Sequence, residues 1–160
     1  MNVSPCNVPL LSIVIPTKNR YETLIPAVMA ILHSINDHRV ELVIQDNSDN
    51  PSEIQKNFFI AFSDGRVKYA HKAGPLSMSE NTEAALERAI GEYVTFIGDD
   101  DFVAPDILDF VQDFSERGIL AAIYPPAYYW WKSVKFSVPS RFHQPVHFGT
   151  QSILAEMNTS

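Results

Sequence analysis

The sequence contains little cysteine and few cationic side chains. Its one cysteine, Cys6, excludes an internal disulfide and fits a reducing compartment. Twelve Lys and Arg against 19 Asp and Glu give a formal net charge of −7. A broad nucleic-acid surface needs a basic stripe, so we expect no nucleic acid as a partner. The longest apolar runs, residues 8–16 and 119–131, are too short or too broken to span a bilayer, and we expect a cytoplasmic protein.

Strand patterns and helix patterns alternate along most of the 160 residues. The predicted strands span residues 10–16, 40–45, 66–71, 93–97 and 119–124, and the predicted helices span 21–35, 52–62, 79–89 and 105–118. This alternation indicates an α/β fold, with a parallel sheet and helices on both faces. After residue 124 the alternation stops. There we expect an edge strand at 134–138 and no clear element from 141, apart from a short helix at 150–157.

Three consecutive carboxylates, Asp99, Asp100 and Asp101, follow the fourth predicted strand. Adjacent like charges repel each other, so such a cluster offers little to the fold itself. A divalent cation would turn that repulsion into binding, because hard cations take oxygen ligands. In open α/β sheets, ligands bind just beyond the carboxyl ends of the strands. The three aspartates are therefore candidate metal ligands that serve a phosphorylated molecule.

Three loops, residues 17–20, 46–50 and 98–101, leave the carboxyl ends of predicted parallel strands and should converge on one crevice. Asp46 could accept a hydrogen bond from a base, while Asn19 and Arg20 could contact a ribose or a phosphate. A metal on the aspartates could bridge two phosphates. These groups predict a site for a nucleotide diphosphate that lacks a glycine-rich phosphate loop.

The same residues also have purely structural interpretations. Asp46 could form only an Asx turn. Arg20 could be a solvated residue at a helix start, and the aspartates could cap the following helix. His143 and His147 are four residues apart, but Pro145 disfavours the helix on which they would share a metal.

Three segments in this order, SIVIPTKNR, ELVIQDNSDN and GEYVTFIGDDDFVAP, resemble the family 2 glycosyltransferases, which have the GT-A fold. The resemblance runs from about residue 11 to residue 108. It implies a Rossmann-like, mostly parallel sheet and an inverting transfer from a UDP-, GDP- or dTDP-sugar. It also implies Mn²⁺ or Mg²⁺ as cofactor, a saccharide or lipid-linked acceptor, and polysaccharide or glycoconjugate synthesis. Peripheral contact with the inner face of a membrane is consistent with such an acceptor.

The resemblance assigns roles to individual residues near the donor. It places Pro16, Thr17 and Arg20 beside the nucleoside, with Asn19 in the same loop. It places Asp46 on the base, which is a uracil if the donor is a UDP-sugar. These five residues form the nucleoside side of the predicted donor site.

The Asp99-Asp100 pair matches the DXD-type motif of the family. The resemblance implies that one member of this pair touches the ribose and that the other binds the metal. We expect Asp99 to contact the donor and Asp100 to be the main ligand. Asp101 either assists the metal or caps the next helix.

The sequence departs from the family pattern before the fourth strand. Many members carry Ala-Arg-Asn there, with an arginine that helps to bind the donor, whereas this chain has Ser79-Glu80-Asn81. Glu80 puts an anion where a cation is expected beside the diphosphate. Lys72 or Arg88 could supply the positive charge, and Lys72 is better placed because it follows the third strand.

No catalytic base can be named from the sequence. Family members use an Asp or Glu from a later segment, but Glu156 is the only acidic side chain in the last forty residues and fits a surface position. We therefore expect residues 1–124 to form a nucleotide-sugar-binding domain, 125–160 to be an incomplete acceptor-side extension, and the chain to be truncated. Donor binding should then survive better than transfer.

Three other functions fit parts of the pattern. A truncated module could bind a nucleotide-sugar without turnover. The aromatic run at 125–131 favours a segment that covers a core, but it could also stack on a sugar, contact a partner or a second copy, or touch a membrane surface. A receiver domain is disfavoured because Pro16-Thr17-Lys18 and His71-Lys72 stand where acids are required. A nucleotidyltransferase is disfavoured because the first strand is not followed by a glycine-rich basic loop.

Overall fold

The structure is a computed structural model that describes residues 8–60, 62, 64–123, 128–131, 134–137 and 146–148. The chain divides into two compact units, the first ending at Val111 and the second beginning at Gln112. The strands are β1 (Leu11–Thr17), β2 (Val40–Asp46), β3 (Val67–His71), β4 (Tyr93–Phe96), β5 (Ala121–Ile123), β6 (Tyr128–Trp131), β7 (Val134–Ser137) and β8 (Val146–Phe148). The helices are α1 (Tyr21–Ser34), α2 (Glu53–Ile60), α3 (Met78–Leu86) and α4 (Ile107–Glu116).

The first unit is built on a four-stranded sheet in the order β3-β2-β1-β4. All three strand pairings are parallel, and the register places Thr17 beside Asp46 where β1 and β2 end. From β1 the chain moves outward through β2 to β3 and then crosses to the other side of β1 for β4. The order therefore reverses between β1 and β4, and this reversal is where α/β sheets bind ligands. The predicted α/β class and parallel sheet are confirmed.

Both faces of this sheet carry apolar residues that pack against helices. On one face, Ile13 and Leu42 lie in a cluster with Leu24 of α1, Phe59 of α2 and Leu108 of α4. On the other face the cluster is smaller and joins three residues, Val14, Val43 and Ala85 of α3. This division follows from the two-residue period of a strand, which sends successive side chains to opposite faces. Helices on both faces were predicted and are confirmed.

Local sequence explains where α3 begins, whereas no side-chain cap marks the start of α1. The helix α1 starts directly after Arg20 and continues through Pro26. The helix α3 has a capping box: Ser77 Oγ accepts from the Glu80 N–H at 3.2 Å, and Glu80 Oε2 accepts from the Ser77 N–H at 2.8 Å. This reciprocal pair satisfies backbone donors that the first helical turn leaves without partners.

The second unit differs from the sequence prediction. The fifth predicted strand was expected to continue the parallel sheet, but β5 pairs antiparallel with β8. That pairing also puts a strand into the tail that was predicted to lack one, and it includes His147 in β8. The predicted edge strand is confirmed as β7, which pairs antiparallel with β6. The predicted helix at 150–157, together with Cys6, His143 and Glu156, lies outside the described residues.

None of the helices in the described part of the chain is both long enough and apolar enough to cross a membrane.

Candidate functional site

Hydrogen bonds and ion pairs join the end of β1 to the loop after β4. Thr17 Oγ1 donates to Asp99 Oδ2 at 2.7 Å. The guanidinium of Arg20 contacts Asp99 Oδ1 at 3.0 Å and Asp100 Oδ2 at 2.6 Å. Thr17 ends β1, and the other three residues follow β1 or β4, the two strands between which the strand order reverses. The structure therefore brings together four of the predicted site residues at the predicted edge of the sheet.

Burial divides these four residues into two pairs. Thr17 and Asp99 are buried, whereas the Arg20 and Asp100 side chains are 49% and 51% exposed. The hydrogen bond to Asp100, followed by attraction to Asp99, raises the pKa of Arg20 above the usual arginine value. Asp99 is thus held inside the protein by Thr17 and Arg20, whereas Arg20 and Asp100 expose their charged groups to solvent.

The third carboxylate of the triplet has a local partner. Asp101 Oδ2 accepts from the Gly98 N–H at 2.9 Å, which closes the turn after β4. A Cβ at Gly98 would lie 3.0 Å from both Asp100 Oδ1 and Asp101 Oδ2, so the turn leaves little room for a side chain there. Three carboxylates beside one guanidinium leave an excess of negative charge at this edge.

The loop after β2 is organised by Asp46, which is fully buried. Its Oδ1 accepts from the Ser48 N–H at 2.8 Å, which is the Asx turn that the sequence left open. Its Oδ2 accepts from the hydroxyls of Tyr21 and Tyr69, the latter at 2.7 Å. Both carboxylate oxygens of the predicted base-binding residue are thus hydrogen-bonded inside the protein.

The loops after β1 and β2 are linked by Asn19. Its backbone N–H donates to Ser48 Oγ at 2.8 Å, and its side chain exchanges two hydrogen bonds with Asp49 at 2.7 and 3.0 Å. Asn19 takes a φ of +58°, a left-handed conformation that asparagine tolerates better than most residues. Lys18 reinforces the link through an ion pair with Asp49 at 3.1 Å.

A cavity of about 340 Å³ lies between these loops and the starts of α1 and α2. Three side-chain amide groups, those of Asn19, Asn50 and Gln55, contribute to its walls. The lining residues are Asn19, Arg20, Tyr21, Glu22, Thr23, Ser48, Asn50, Pro51 and Gln55. Arg20 belongs both to this cavity and to the carboxylate pair, so the cavity and the acidic edge are neighbours.

The remaining predicted donor residues lie at the same edge of the sheet but contribute differently. Pro16 is in β1, opposite Gln45 of β2. The Lys72 N–H donates to the Asp46 carbonyl at 2.9 Å. The hydrogen bond from the Ser77 N–H lowers the pKa of Glu80 below its usual value, and the exposed Lys72 ammonium adds a smaller effect in the same direction. The anion that departs from the family pattern thus has a local role, because Glu80 caps α3.

Sequence reasoning missed three residues, Tyr21, Tyr69 and Asn81, that form hydrogen bonds at the carboxyl ends of β1 and β2. The sequence places Tyr21 at a helix start and Tyr69 within a strand, and neither pattern indicates a role at the site. Yet Tyr69 pairs in register with Ile44, so the two-residue period places it on the same face as Asp46. Asn81 was also missed: its amide donates to the carbonyls of Thr17 and Gln45 at 3.1 and 3.3 Å.

Among the described residues, no three His, Cys, Asp or Glu side chains are arranged to hold a metal ion by themselves. The aspartate triplet accordingly offers a partial ligand set. Magnesium sites that act on nucleotides commonly use one or two carboxylates and take their other ligands from phosphates and water. The exposed carboxylate of Asp100, supported by Asp99, fits that type of site.

Comparison with known proteins gives a consistent result. A family model described as glycosyl transferase family 2 matches residues 12–158. The chain is 31% identical over 123 residues to the uncharacterized protein y4gI of Sinorhizobium fredii, covering 76% of this chain and 14% of that protein. It is 30% identical over 103 residues to an uncharacterized glycosyltransferase of Haemophilus influenzae, covering 64% and 41%.

A third relative has a more specific name. The chain is 30% identical over 116 residues to the GalNAc(5)-diNAcBac-PP-undecaprenol beta-1,3-glucosyltransferase of Campylobacter jejuni, covering 69% of this chain and 36% of that protein. The chain thus spans between 14% and 41% of the length of these three curated relatives.

Proposed function

Because the chain belongs to glycosyl transferase family 2, we propose that it binds a nucleotide-diphosphate sugar and supports an inverting transfer of the sugar to a hydroxyl acceptor. The observation that carries the proposal is the Thr17–Arg20–Asp99–Asp100 arrangement, in which β1 and β4 meet at the reversal of strand order. A pairing of a cation with carboxylates at that position suits a ligand that combines phosphates with a metal.

In this proposal the donor lies along the carboxyl edge of the sheet. The nucleoside occupies the amide-rich cavity, where Asn19 and Arg20 line the wall. Arg20 faces the diphosphate, because its guanidinium is half exposed and has more donors than its two carboxylate partners use. Lys72 is exposed and near enough to the edge to supply a second cation. Pro16 and Thr17 lie at the end of β1 beside the proposed site, where Thr17 holds Asp99.

Manganese or magnesium is the proposed cofactor, with Asp100 as main ligand and Asp99 and Asp101 in support. The residues present fit such an ion, because their hard carboxylate oxygens suit it and Asp100 is half exposed. When bound, the ion would neutralise charge on the leaving nucleotide diphosphate. In the chain itself, Thr17 holds Asp99 in place and Arg20 orients Asp100 toward the open side of the site.

The proposed acceptor is a saccharide or a lipid-linked saccharide. The name of the Campylobacter relative, which includes an undecaprenol-linked acceptor, supports this class. An acceptor of that kind would be met at the cytoplasmic face of a membrane, in the synthesis of a polysaccharide or glycoconjugate. Deprotonation of the acceptor hydroxyl requires a general base, and no residue at the described edge is assigned that role.

Calorimetric titration of UDP, GDP and dTDP, each with and without Mn²⁺, tests the proposal. We expect one of the three to bind measurably and to bind at least tenfold more tightly with the metal. No binding of any nucleotide, or binding that is indifferent to metal, contradicts the proposal. Release of nucleotide diphosphate from the matching sugar donor then distinguishes an enzyme from a module that binds without turnover.

Two substitutions test whether Asp100 is responsible for the gain in nucleotide affinity from Mn²⁺. Asp100→Asn should abolish the gain in affinity from Mn²⁺ because it removes the exposed carboxylate. Asp109→Asn removes a carboxylate of the same kind from the exposed side of α4 and should leave the gain unchanged. If both variants respond to Mn²⁺ as the original protein does, Asp100 is not the ligand.

A further inference from the structure

The loop after β3 is tied to the end of β2 by a single buried side chain. Asn47, the residue directly after β2, is 1% exposed. Its Nδ2 donates to the Lys72 carbonyl at 2.7 Å and to the Gly74 carbonyl at 2.8 Å. Its backbone N–H donates to the Thr17 carbonyl at 2.9 Å. Asn47 therefore joins the ends of β1 and β2 to the segment that follows β3.

The contacts of Asn47 determine which way its amide points. Carbonyl oxygens can only accept hydrogen bonds, so the NH₂ group must face Lys72 and Gly74. Within the part of the chain that the structure describes, Asn47 Oδ1 is buried and accepts no hydrogen bond. The side chain thus acts through its two donors. An aspartate has nearly the same shape, but it would set a carboxylate oxygen against both carbonyls.

The segment 72–74 adopts the backbone conformation that these contacts require. Gly74 has a φ of +112°, which glycine adopts without the steric cost that a side chain would bring. Its carbonyl accepts from Asn47 and also from the Leu76 N–H at 3.0 Å. The Lys72 N–H donates to the Asp46 carbonyl at 2.9 Å. Both polar groups of the Lys72 backbone are therefore hydrogen-bonded to residues at the end of β2.

Lys72 is better placed than Arg88 to supply a second cation to a diphosphate. The guanidinium of Arg88 donates to the Ile44 carbonyl at 3.0 Å and to Gln45 Oε1 at 3.1 Å, so it is used within the sheet. Lys72 instead has an exposed side chain on a backbone that is held at both ends. A fixed backbone reduces the entropy that the ammonium loses when it contacts an anion.

We propose that Asn47 is a positioning residue: its amide holds the segment 72–74 against β2 and so places the Lys72 ammonium at the β-phosphate of the nucleotide diphosphate. This inference rests on the proposed function for the identity of the ligand. Asn47 is buried and acts through Lys72 without touching the ligand.

The ratio of the monophosphate to the diphosphate dissociation constant isolates the contact with the β-phosphate. Calorimetry with Mn²⁺ present gives this ratio for whichever of UDP, GDP and dTDP binds and for its monophosphate. Lys72→Ala should lower the ratio by about fivefold, the upper range for an exposed charge pair. Asn47→Ala should lower it by about three- to fivefold, because the ammonium is then no longer held in place.

A double variant tests whether Asn47 acts through Lys72. In the Lys72→Ala background, Asn47→Ala should change the ratio by less than about 1.5-fold, because both substitutions remove the same contact. Gly74→Ala disturbs the segment from its exposed side, since alanine disfavours a φ of +112°, and should lower the ratio as Asn47→Ala does. Asn36→Ala, at an exposed position before β2, is the control and should keep the original ratio.

Three results would overturn the inference. They are an unchanged ratio in Asn47→Ala, an equal loss of affinity for monophosphate and diphosphate, and a full additional effect in the Lys72→Ala background. Circular dichroism should show that each variant is folded at the temperature of titration. If Asn47→Ala does not fold, Gly74→Ala decides, and an original ratio in that variant rejects the proposal.

Backbone NMR relaxation without nucleotide tests the same role independently of the ligand. In the original protein, the amides of Lys72 and Gly74 should have order parameters near about 0.85, as in rigid backbone, and in Asn47→Ala they should fall below about 0.6. The Leu42 amide, in the centre of β2, should keep its value. Unchanged order at both loop positions rejects the positioning role even if nucleotides bind. If the original protein binds no nucleotide, the proposed function fails, and the relaxation result still decides whether Asn47 holds the segment.

Discussion

A buried carboxylate is stable only where protein donors replace the water that it has lost. Glu41 of β2 meets this condition on the sheet face opposite to Asp46, and its side chain is 3% exposed. Its Oε1 accepts from Ser12 Oγ at 2.5 Å and from the Ile90 N–H at 2.7 Å, and its Oε2 contacts the Lys68 ammonium. Burial opposes ionisation, but the Ile90, Lys68 and Ser12 contacts outweigh it, so the pKa of Glu41 lies below its usual range.

Glu41→Gln should lower the free energy of unfolding at pH 7 by about 2 kcal/mol, because it removes the charge from these hydrogen bonds. A carboxylate with a depressed pKa stabilises the folded state above the unfolded-state value, and that contribution is lost as pH falls through the folded-state pKa. The difference between the two proteins should therefore shrink below about pH 4.5, the ordinary glutamate value. Urea unfolding at a series of pH values measures it.

Glu83→Gln on the exposed side of α3 provides the control and should change the unfolding free energy by less than about 0.5 kcal/mol. A Glu41→Gln effect that stays constant from pH 7 to pH 3 would rule out this explanation.

Gly91 is required by the close approach of two backbone segments. A Cβ there would lie 2.6 Å from Ser12 Oγ, 2.7 Å from the Ser12 nitrogen and 2.9 Å from the Tyr93 carbonyl oxygen. Because two of these atoms belong to the backbone, Gly91→Ala should cost about 1–3 kcal/mol of stability or more. At Gly65, apart from the glycine itself and its two chain neighbours, no atom of the described residues lies within 4 Å of the added carbon, so Gly65→Ala should be nearly neutral. Thermal unfolding of both variants compares them, and equal melting temperatures would contradict the prediction.

At the scale of the elements, the start of α3 explains why the chain tolerates an acidic residue beside the proposed diphosphate site. Ser77→Ala removes the side chain that accepts from the Glu80 N–H and should lower the unfolding free energy by about 1 kcal/mol. Ser79→Ala, two residues later and inside the helix, removes the same hydroxyl without a capping role and should have no destabilising effect. Chemical denaturation of the two variants separates them, and equal losses would mean that the cap contributes nothing.

The sequence predicted the first four strands to within about one residue of the observed ends, because apolar runs with β-branched residues are separated by loops rich in Pro, Gly, Asn or Asp. It did not predict the partner of β5. A three-residue strand has the same local pattern whether it pairs parallel or antiparallel, and only the position of β8, about twenty residues later, decides the pairing. Local patterns thus specify an element better than they specify its partner.

The candidate site shows the same limit at finer scale. The aspartate triplet and Arg20 could be predicted because chemistry and spacing both point to the carboxyl edge of the sheet. The burial of Asp46 could not, because it depends on hydroxyls from α1 and β3, 25 and 23 residues away in sequence. The role of Asn81 could not be predicted for a similar reason. Its amide bridges the backbone carbonyls at the ends of two strands, and because every residue has such a carbonyl, the sequence does not indicate the contact.

For the first unit as a whole, the distribution of burial follows the strand order. The residues of β1 and β2 are almost all buried, whereas those of β3 are half buried and those of β4 alternate between half buried and exposed. The two central strands are hydrogen-bonded on both sides within the sheet. The proposed site is therefore anchored on β1, one of the two protected central strands, and it reaches outward through Asp99 to the loop after β4, a strand with less protection.

Native-state amide exchange should follow this order. Exchange in β1 and β2 requires opening of the sheet centre, so their slowest amides should report the global free energy of unfolding. The slowest amides of β3 and β4 should exchange at least tenfold faster, because local opening at the sides of the sheet breaks fewer contacts. Rates normalised for intrinsic exchange at one pH give the comparison, with the helix α1 as an internal reference for the same core. Equal protection of β4 and β1 would contradict this prediction. It would mean that Asp99 and Asp100 follow a strand that opens as rarely as the sheet centre does.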